Sequence, residues 1–259
     1  MVASELDVIM GAGHPFFDDN NAQLDVPNYN YVSEETYNAL ANGETEFTFF
    51  DETADFESLA AGNVTEGERY FGLPQVGSTL QQGRDGDAAE PYADEMNGVV
   101  DLSTMATGAL NALNTNDEGF HLMIEGGAID WAGHDNDSAR DIEETQDFND
   151  AVEAVVNWVE TNSSWDETLV IVTADHETGY LSGQDENPEW RAITGQAGQV
   201  PNHEWYSEDP TNQVVPFFFR GAGSEDILAA TTGTDPVRGD YVDNTTVANL
   251  TFENWWARD

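Results

Sequence analysis

Residues 123–134 read Met-Ile-Glu-Gly-Gly-Ala-Ile-Asp-Trp-Ala-Gly-His, and the rest of the chain is organised around this stretch. An apolar run ends at Glu125, and two glycines separate it from a segment that carries Asp130 and His134. The pattern predicts a buried strand over 120–124, a tight glycine turn and then a helix. Residues four apart lie on one face of a helix, so the carboxylate and the imidazole could reach a single ion.

A second carboxylate and imidazole pair follows another apolar run. Residues 168–173 predict a strand, and Ala-Asp-His-Glu-Thr-Gly follows at 174–179. Asp175 and His176 therefore stand at the C-terminal end of a strand, the edge at which open α/β sheets bind ligands. Each pair alone is typical of a helix surface or a turn. The two together, with Glu125 upstream, favour a shared site for several metal ions.

The residue types indicate which metals such a site would hold. Zinc binds histidine nitrogen and carboxylate oxygen, whereas magnesium prefers oxygen ligands in an octahedron. Asp130 with His134 suits one zinc, and Asp175 with His176 suits a second. Glu125 suits magnesium.

Both motifs resemble those of the alkaline phosphatase family: Glu-Gly-Gly-x-Ile-Asp-x-x-x-His over 125–134 and Thr-Ala-Asp-His-Glu-Thr-Gly over 173–179. The likeness extends to three further stretches, 7–13, 102–113 and 214–221, and matches the later part of the family's chain. It implies a three-layer α/β/α sandwich of alkaline-phosphatase-like type from which the N-terminal part of the family fold is absent. On this interpretation residues 1–259 form one domain that is incomplete at its N-terminal side.

The resemblance also implies a function and a setting. It implies hydrolysis of phosphate monoesters by two zinc ions and one magnesium ion, held by the ligands already named, with a homodimer and a secreted or cell-surface location. The alternative is a truncated, non-catalytic relative that still binds metal.

Two departures from the family bear on activity. The family's serine nucleophile, in an Asp-Ser-Ala/Gly-like motif, and its phosphate-binding arginine precede the strand with which this chain begins, and neither motif is found here. Asp137-Ser138-Ala139 resembles the serine motif by letters only. At the start of a long helix, Ser138 is expected to be an N-cap.

The second departure concerns the first zinc. The family's last zinc ligand is the histidine of a His-Thr-x-x-x-Val-Pro pattern, and here Pro210 stands in its place, before an intact Thr-Asn-Gln-Val-Val-Pro. Proline has no donor atom for a metal. His203 is a candidate replacement if the loop folds back.

The composition is strongly acidic. Seven basic residues, all arginine, against 51 acidic ones give a net charge of 7 − 51 = −44. Charge of this size destabilises a compact state by self-repulsion, and molar salt, with a Debye length of about 3 Å, screens it. The chain is therefore predicted to be halophilic, with a solvated acidic surface. The same field would repel nucleic acid. No apolar run reaches the roughly 18 residues that a membrane span needs.

Other segments predict a set of alternating strands and helices. The expected helices cover 33–42 with Ser33 as N-cap, 103–113 started by Ser103, 137–161 and 243–252. The 137–161 helix is expected to place one apolar stripe on the core and an acidic face, without basic partners, in solvent. A strand is expected over 46–50, and loops over 51–100 and 181–212.

Overall fold

The computed structural model of the chain describes residues 2–86, 89–184 and 190–256. Its strands are β1 (Val8–Met10), β2 (Phe47–Phe50), β3 (Arg69–Gly72), β4 (Leu169–Thr173), β5 (Glu177–Thr178), β6 (Leu181–Ser182), β7 (Glu204–Trp205), β8 (Pro210–Thr211), β9 (Phe217–Gly221), β10 (Gly233–Asp235) and β11 (Gly239–Tyr241). Its α-helices are α1 (Glu34–Ala41), α2 (Thr53–Ala60), α3 (Leu102–Leu113), α4 (Ala128–Asp135), α5 (Ser138–Asn162), α6 (Ser224–Ala229) and α7 (Thr246–Leu250), and α7 continues into a π-helical turn, Thr251–Trp255.

The parallel sheet β1–β3–β2 lies between two helical layers. Successive side chains of a strand point to opposite faces of the sheet. Tyr70 of β3 accordingly packs with Phe56 of α2 and Met105 of α3, whereas Phe71 packs with Leu40 of α1 on the other face. The expected three-layer α/β/α arrangement is confirmed by this packing and by the relatives of known structure described below.

The prediction of a loop over 51–100 was wrong in part, because this segment contains α2 and the central strand β3. Phe56 and Leu59 of α2 are buried one turn apart, and Arg69–Gly72 pairs in parallel with both neighbouring strands. Both elements are short and lie among acidic residues and glycines, so their apolar positions are too few to show a period. Tertiary pairing is what fixes them.

Helix starts were predicted with mixed success. Ser33 caps α1 as expected, since its hydroxyl accepts the hydrogen bond of the Thr36 backbone N–H. Ser103 was the wrong cap for α3: the carboxylate of Asp101 accepts from the Thr104 N–H at 2.7 Å. Aspartate and serine are similarly good N-caps, so propensity did not separate two candidates this close together.

The acidic face of α5 is not the solvated, unpaired face that was expected. Glu143 and Glu144 are both buried. Glu143 Oε2 lies 2.8 Å from Arg84 Nη2 and 3.1 Å from Arg140 Nη1. A buried charge needs a partner. Arg84 lies 59 positions upstream of Glu143 (143 − 84 = 59), and the pattern of a single helix cannot identify a partner that far away in the sequence.

The strand predicted over 120–124 does not form in the described part of the chain. Leu122 and Ile124 do pack against core residues, and Met123 faces outward with 70 % of its surface exposed, so the alternation is present. A strand also needs a ladder of hydrogen bonds to a neighbouring strand, and no described strand pairs with residues 120–124. By contrast β4 forms as expected, and it pairs antiparallel with β9.

Candidate functional site

Helix α4 presents the first predicted pair. Asp130 Oδ2 and His134 Nε2 lie 3.5 Å apart at positions i and i+4, as the spacing predicted. His134 Nδ1 lies 2.5 Å from the carbonyl oxygen of Glu208. A carbonyl can only accept, so Nδ1 carries the proton and Nε2 is left as the metal-binding nitrogen. Fixing a ligand histidine through its other nitrogen is typical of metal sites.

The second pair follows β4. Asp175 Oδ2 and His176 Nε2 also lie 3.5 Å apart. The side chain of Asp175 is 89 % exposed, and that of His176 is 40 % exposed, so both are open to an ion from solvent. The His176 ring again turns Nδ1 toward acceptors, here the Glu177 carbonyl at 3.4 Å and the Thr178 hydroxyl at 3.1 Å.

Thr178 brings the two pairs together. Its hydroxyl donates to Asp130 Oδ1 at 2.5 Å, and the same oxygen lies 3.1 Å from His176 Nδ1. One hydroxyl can donate once and still accept, so it can hold the carboxylate of one pair and the imidazole N–H of the other at the same time. Sequence analysis did not select Thr178, and its only signal was its place two residues after a candidate ligand.

Two glycines allow α4 to approach β5 this closely. A Cβ on Gly133 would lie 3.3 Å from Thr178 Cβ, tighter than most real contacts. Gly179 has φ of +87°, and a Cβ there would lie 2.5 Å from a ring carbon of Trp205. The same Cβ would lie 2.9 Å from the carbonyl oxygen of Gly133 in α4, so a larger residue at either glycine would push the helix away from the strand and separate Asp130 from Thr178.

Strand β8 forms the third side of the site. It pairs antiparallel with β5, and Pro210 lies directly opposite Thr178. The preceding residues contact α4: Asn136 Nδ2 donates to the Ser207 carbonyl at 2.8 Å. In its described residues, 181–184 and 190–212, the predicted loop therefore contains three short strands, β6 to β8, and it brings position 210 to the metal-ligand candidates.

His203, the candidate replacement ligand, has other partners in the structure. Its Nε2 lies 2.5 Å from Ser138 Oγ, and its Nδ1 lies 2.7 Å from the Pro201 carbonyl. Both ring nitrogens are thus engaged away from Asp130 and His134. Ser138 is also not an N-cap as expected. Asp137 caps α5, accepting from the Ala139 and Arg140 N–H groups, while Ser138 binds His203 and the Trp205 indole N–H.

Glu125 stays apart from the other four predicted ligands. It is exposed and directly precedes Gly126 and Gly127, and no hydrogen bond or ion pair joins it to the two pairs in residues 2–86, 89–184 and 190–256. Over the same residues, no group of three or more metal-binding side chains forms a ready site. The donor types, a carboxylate and an imidazole in each of two pairs, nevertheless suit zinc.

A family described as "Alkaline phosphatase" matches residues 1–213. Among curated proteins, alkaline phosphatase 4 of Bacillus subtilis is 41 % identical over 92 residues, which is 35 % of this chain and 19 % of that protein. The repressible alkaline phosphatase of Saccharomyces cerevisiae is 36 % identical over 107 residues, or 40 % of this chain and 17 % of that protein. The matched stretches thus span about a fifth of these relatives.

Solved structures show the same likeness in the fold. The alkaline phosphatase of the Antarctic bacterium TAB5 has a TM-score of 0.57 and 24 % identity, and the match covers 87 % of this chain and 56 % of that one. The Thermus thermophilus alkaline phosphatase has a TM-score of 0.58 and 19 % identity, over 95 % and 61 % of the two chains. A TAB5 variant with bound Mg is also similar. Within the described residues, no helix combines the length and apolar character of a membrane span.

Proposed function

This chain belongs to the alkaline phosphatase family, and from that premise we propose that it carries the metal-ligand half of an enzyme that hydrolyses phosphate monoesters. The observation that supports the proposal most directly is the Thr178 hydroxyl, which joins Asp130 of one pair to His176 of the other. A hydroxyl shared by two ligand pairs suits two ions held side by side.

Each pair has its own role in the proposal. Asp130 and His134 hold one zinc, and Asp175 and His176 hold the second. In both histidines the Nδ1 atom is occupied by oxygen acceptors, and Nε2 faces the partner aspartate. A metal placed between each carboxylate and imidazole would replace a 3.5 Å contact with two metal bonds.

Glu125 is proposed as a magnesium ligand. Magnesium retains several waters and needs few protein oxygens, which fits a single exposed glutamate.

When bound, two zinc ions can stabilise the attacking and the leaving oxygen of a phosphoryl displacement. The protein groups supply the geometry: Thr178 fixes Asp130 and His176, and Glu208 fixes the His134 ring. No serine motif of the family kind accompanies them in this sequence. A serine nucleophile opens a covalent route that divides the displacement into two easier steps. We therefore expect this chain by itself to hydrolyse phosphate esters weakly or not at all.

We propose that this activity takes place in high salt, and the acidic composition supports the proposal. A net charge of −44 with no lysine suits a protein that works where salt screens its surface. Solubility and folding at molar salt are the expected consequences. The family resemblance also favours a homodimer, which light scattering at molar salt would measure directly.

A non-catalytic metal-binding relative is the second candidate, and Pro210 favours it. This residue lies opposite Thr178, beside the ligand candidates, and offers no donor atom. The chain binds zinc in both candidate functions, so the two share the metal site. They differ in whether the completed site hydrolyses phosphate esters.

The test combines metal analysis with an aryl phosphate assay. The purified 259-residue chain is loaded with zinc and magnesium at molar salt, dialysed, and analysed by atomic emission and with p-nitrophenyl phosphate. Two zinc ions per chain, without turnover, support the metal site that both candidates share. A chain that retains no zinc contradicts it. Robust turnover that Ser138→Ala abolishes would instead identify Ser138 as a nucleophile.

A further inference from the structure

A serine and a histidine meet in a small cavity between the start of α5 and the strands β6 and β7. The cavity measures about 30 Å³, and seven residues line it: Ser138, Asp141, Ile142, Leu181, Pro201, His203 and Trp205. Among the described residues, none of the candidate metal ligands belongs to this lining. Much of the wall is apolar, so the cavity suits a small, uncharged group better than an ion.

The hydrogen bonds of His203 determine which of its nitrogens can act as a base. Its Nδ1 lies 2.7 Å from the carbonyl oxygen of Pro201, which can only accept, so Nδ1 carries the proton. Its Nε2 is then unprotonated, and it lies 2.5 Å from Ser138 Oγ. The serine hydroxyl therefore donates to Nε2. A serine, a base within hydrogen-bond reach and a third group that orients the base together form the signature of an activated nucleophile.

The indole of Trp205 completes the surroundings of the serine oxygen. Its Nε1–H donates to Ser138 Oγ at 2.8 Å. A hydroxyl oxygen has one proton and two lone pairs, so Oγ can donate to His203, accept from the indole and keep one lone pair for attack. When the proton moves to His203, the indole N–H still stabilises the negative charge that develops on Oγ, because hydrogen bonds to charged acceptors are the stronger ones.

Asp141 supplies a negative charge near His203. It lies three residues after Ser138 in α5, so the two side chains share one face of the helix and line the same cavity. Burial raises the pKa of Asp141 to about 6, and the nearby His203 opposes this rise. The carboxylate is thus ionised above neutral pH, where it favours the protonated form of His203.

We propose that Ser138 and His203 form a catalytic dyad that hydrolyses small, uncharged carboxylic esters without a metal. Ser138 Oγ attacks the carbonyl carbon, and His203 Nε2 takes the hydroxyl proton. An Oγ–C bond forms, the C–O bond to the alcohol breaks, and the proton passes to the departing oxygen. Water then attacks the acyl-serine, and His203 carries one proton of the water to Ser138 Oγ as the Oγ–C bond breaks. The products are one carboxylic acid and one alcohol.

The cavity also indicates which esters fit. A volume of about 30 Å³ with an apolar wall accommodates an acyl group of acetyl size. A phosphate monoester carries negative charge, and Asp141 would repel it. The proposed ester hydrolysis is therefore separate from the phosphatase function and does not rest on it.

The experiment uses the full 259-residue chain, freed of metal by a chelator and kept at molar salt. The chain is mixed with p-nitrophenyl acetate at pH 8. A burst of nitrophenolate is expected, together with an acetyl group on Ser138 that peptide mass spectrometry locates after acid quenching. Because the chain contains no lysine and no cysteine, two common competing acceptors of acyl groups are missing.

Variants separate the dyad from background reactions. Ser138→Ala should abolish the adduct. His203→Gln keeps an oxygen that can accept the serine hydroxyl but cannot take its proton, so acetylation should slow about 100-fold or more. The controls are Ser103→Ala, in the first turn of α3, and His121→Gln, an exposed histidine, and both should react as the parent chain does. Thermal melts check that every variant is folded.

Two results would overturn the proposal. One is a parent chain without an acetyl group on Ser138, and the other is equal acetylation rates for His203→Gln and His121→Gln. Either would show that the serine and the histidine only join the β7 segment to α5. All measurements are made on metal-free protein, so neither result bears on the zinc site.

Discussion

The Thr178 hydroxyl donates to Asp130 Oδ1 at 2.5 Å, across 48 positions of sequence. This bond joins helix α4 to strand β5, and the same hydroxyl lies 3.1 Å from His176 Nδ1. A single uncharged side chain thus sets the distance between two pairs of candidate zinc ligands.

Removing that hydroxyl should loosen the site. Thr178→Val keeps the volume but cannot hydrogen-bond, so Asp130 and His176 would lose their shared support. Zinc affinity, measured by competition with a chromophoric chelator, should fall about 10- to 100-fold, as is usual when a group supporting a ligand is lost. Thr161→Val, which removes an exposed hydroxyl from α5, is the control. Equal zinc affinities for the two variants would remove Thr178 from the site.

Removing the second pair should remove one zinc. The double variant Asp175→Ala with His176→Ala deletes exposed side chains at the end of β4, so the free energy of unfolding of the metal-free chain should change little. Atomic emission should show one zinc fewer per chain than in the parent. Asp117→Ala with Glu118→Ala, on an exposed turn, serves as the control. Unchanged zinc content in the double variant would mean that the second ion lies elsewhere.

A histidine at position 210 should complete the first zinc site. Pro210 is paired opposite Thr178, so the new imidazole would enter beside Asp130 and His134 as a third ligand. Chelator competition should show zinc held about tenfold more tightly or better. Phosphatase turnover should not appear, since the variant adds no nucleophile. His203→Ala should leave zinc affinity unaltered, because Ser138 and Pro201 occupy that ring. A loss of affinity there would instead make His203 a ligand.

Salt should control the stability of the whole chain. With a net charge of −44, self-repulsion in dilute buffer opposes folding, and molar salt screens it. The melting temperature should rise by about 10 °C or more between dilute buffer and molar KCl, which for a chain of this size is a gain of a few kcal/mol. An equally concentrated neutral osmolyte should produce a smaller rise. A melting temperature indifferent to salt would argue against a halophilic protein.

Stability should also depend on pH through Glu144. Burial raises its pKa from 4.5 to about 7, so the folded state binds its proton more tightly than the unfolded chain does. Its contribution is therefore full below pH 4.5 and is lost as the pH rises to about 7, on the order of 3 kcal/mol in total. In chelator-treated protein, Glu144→Gln should flatten the denaturation free energy across this window, and Glu153→Gln should not. Parallel pH profiles for both variants would show that Glu144 titrates normally.

The local parts of the site could be predicted from the sequence. Asp130 and His134 are four residues apart in a short helix, and helix geometry brings them to one face, where their side chains lie 3.5 Å apart. Asp175 and His176 follow an apolar run that does form β4. Both predictions depend only on neighbours within a few residues, where the periodicity of the backbone decides which side chains meet.

Longer-range relationships were decided by the tertiary structure. The contact of Asp130 with Thr178, the ion pairs of Glu143 with two arginines, and the pairing of Pro210 opposite Thr178 all join residues far apart in sequence. The failure of 120–124 to form a strand has the same origin, because a strand exists only where a neighbour completes its hydrogen bonds. Residue type and spacing determined which side chains could bind metal. Packing between α4, β5 and β8, made possible by Gly133 and Gly179, decided which of them come together.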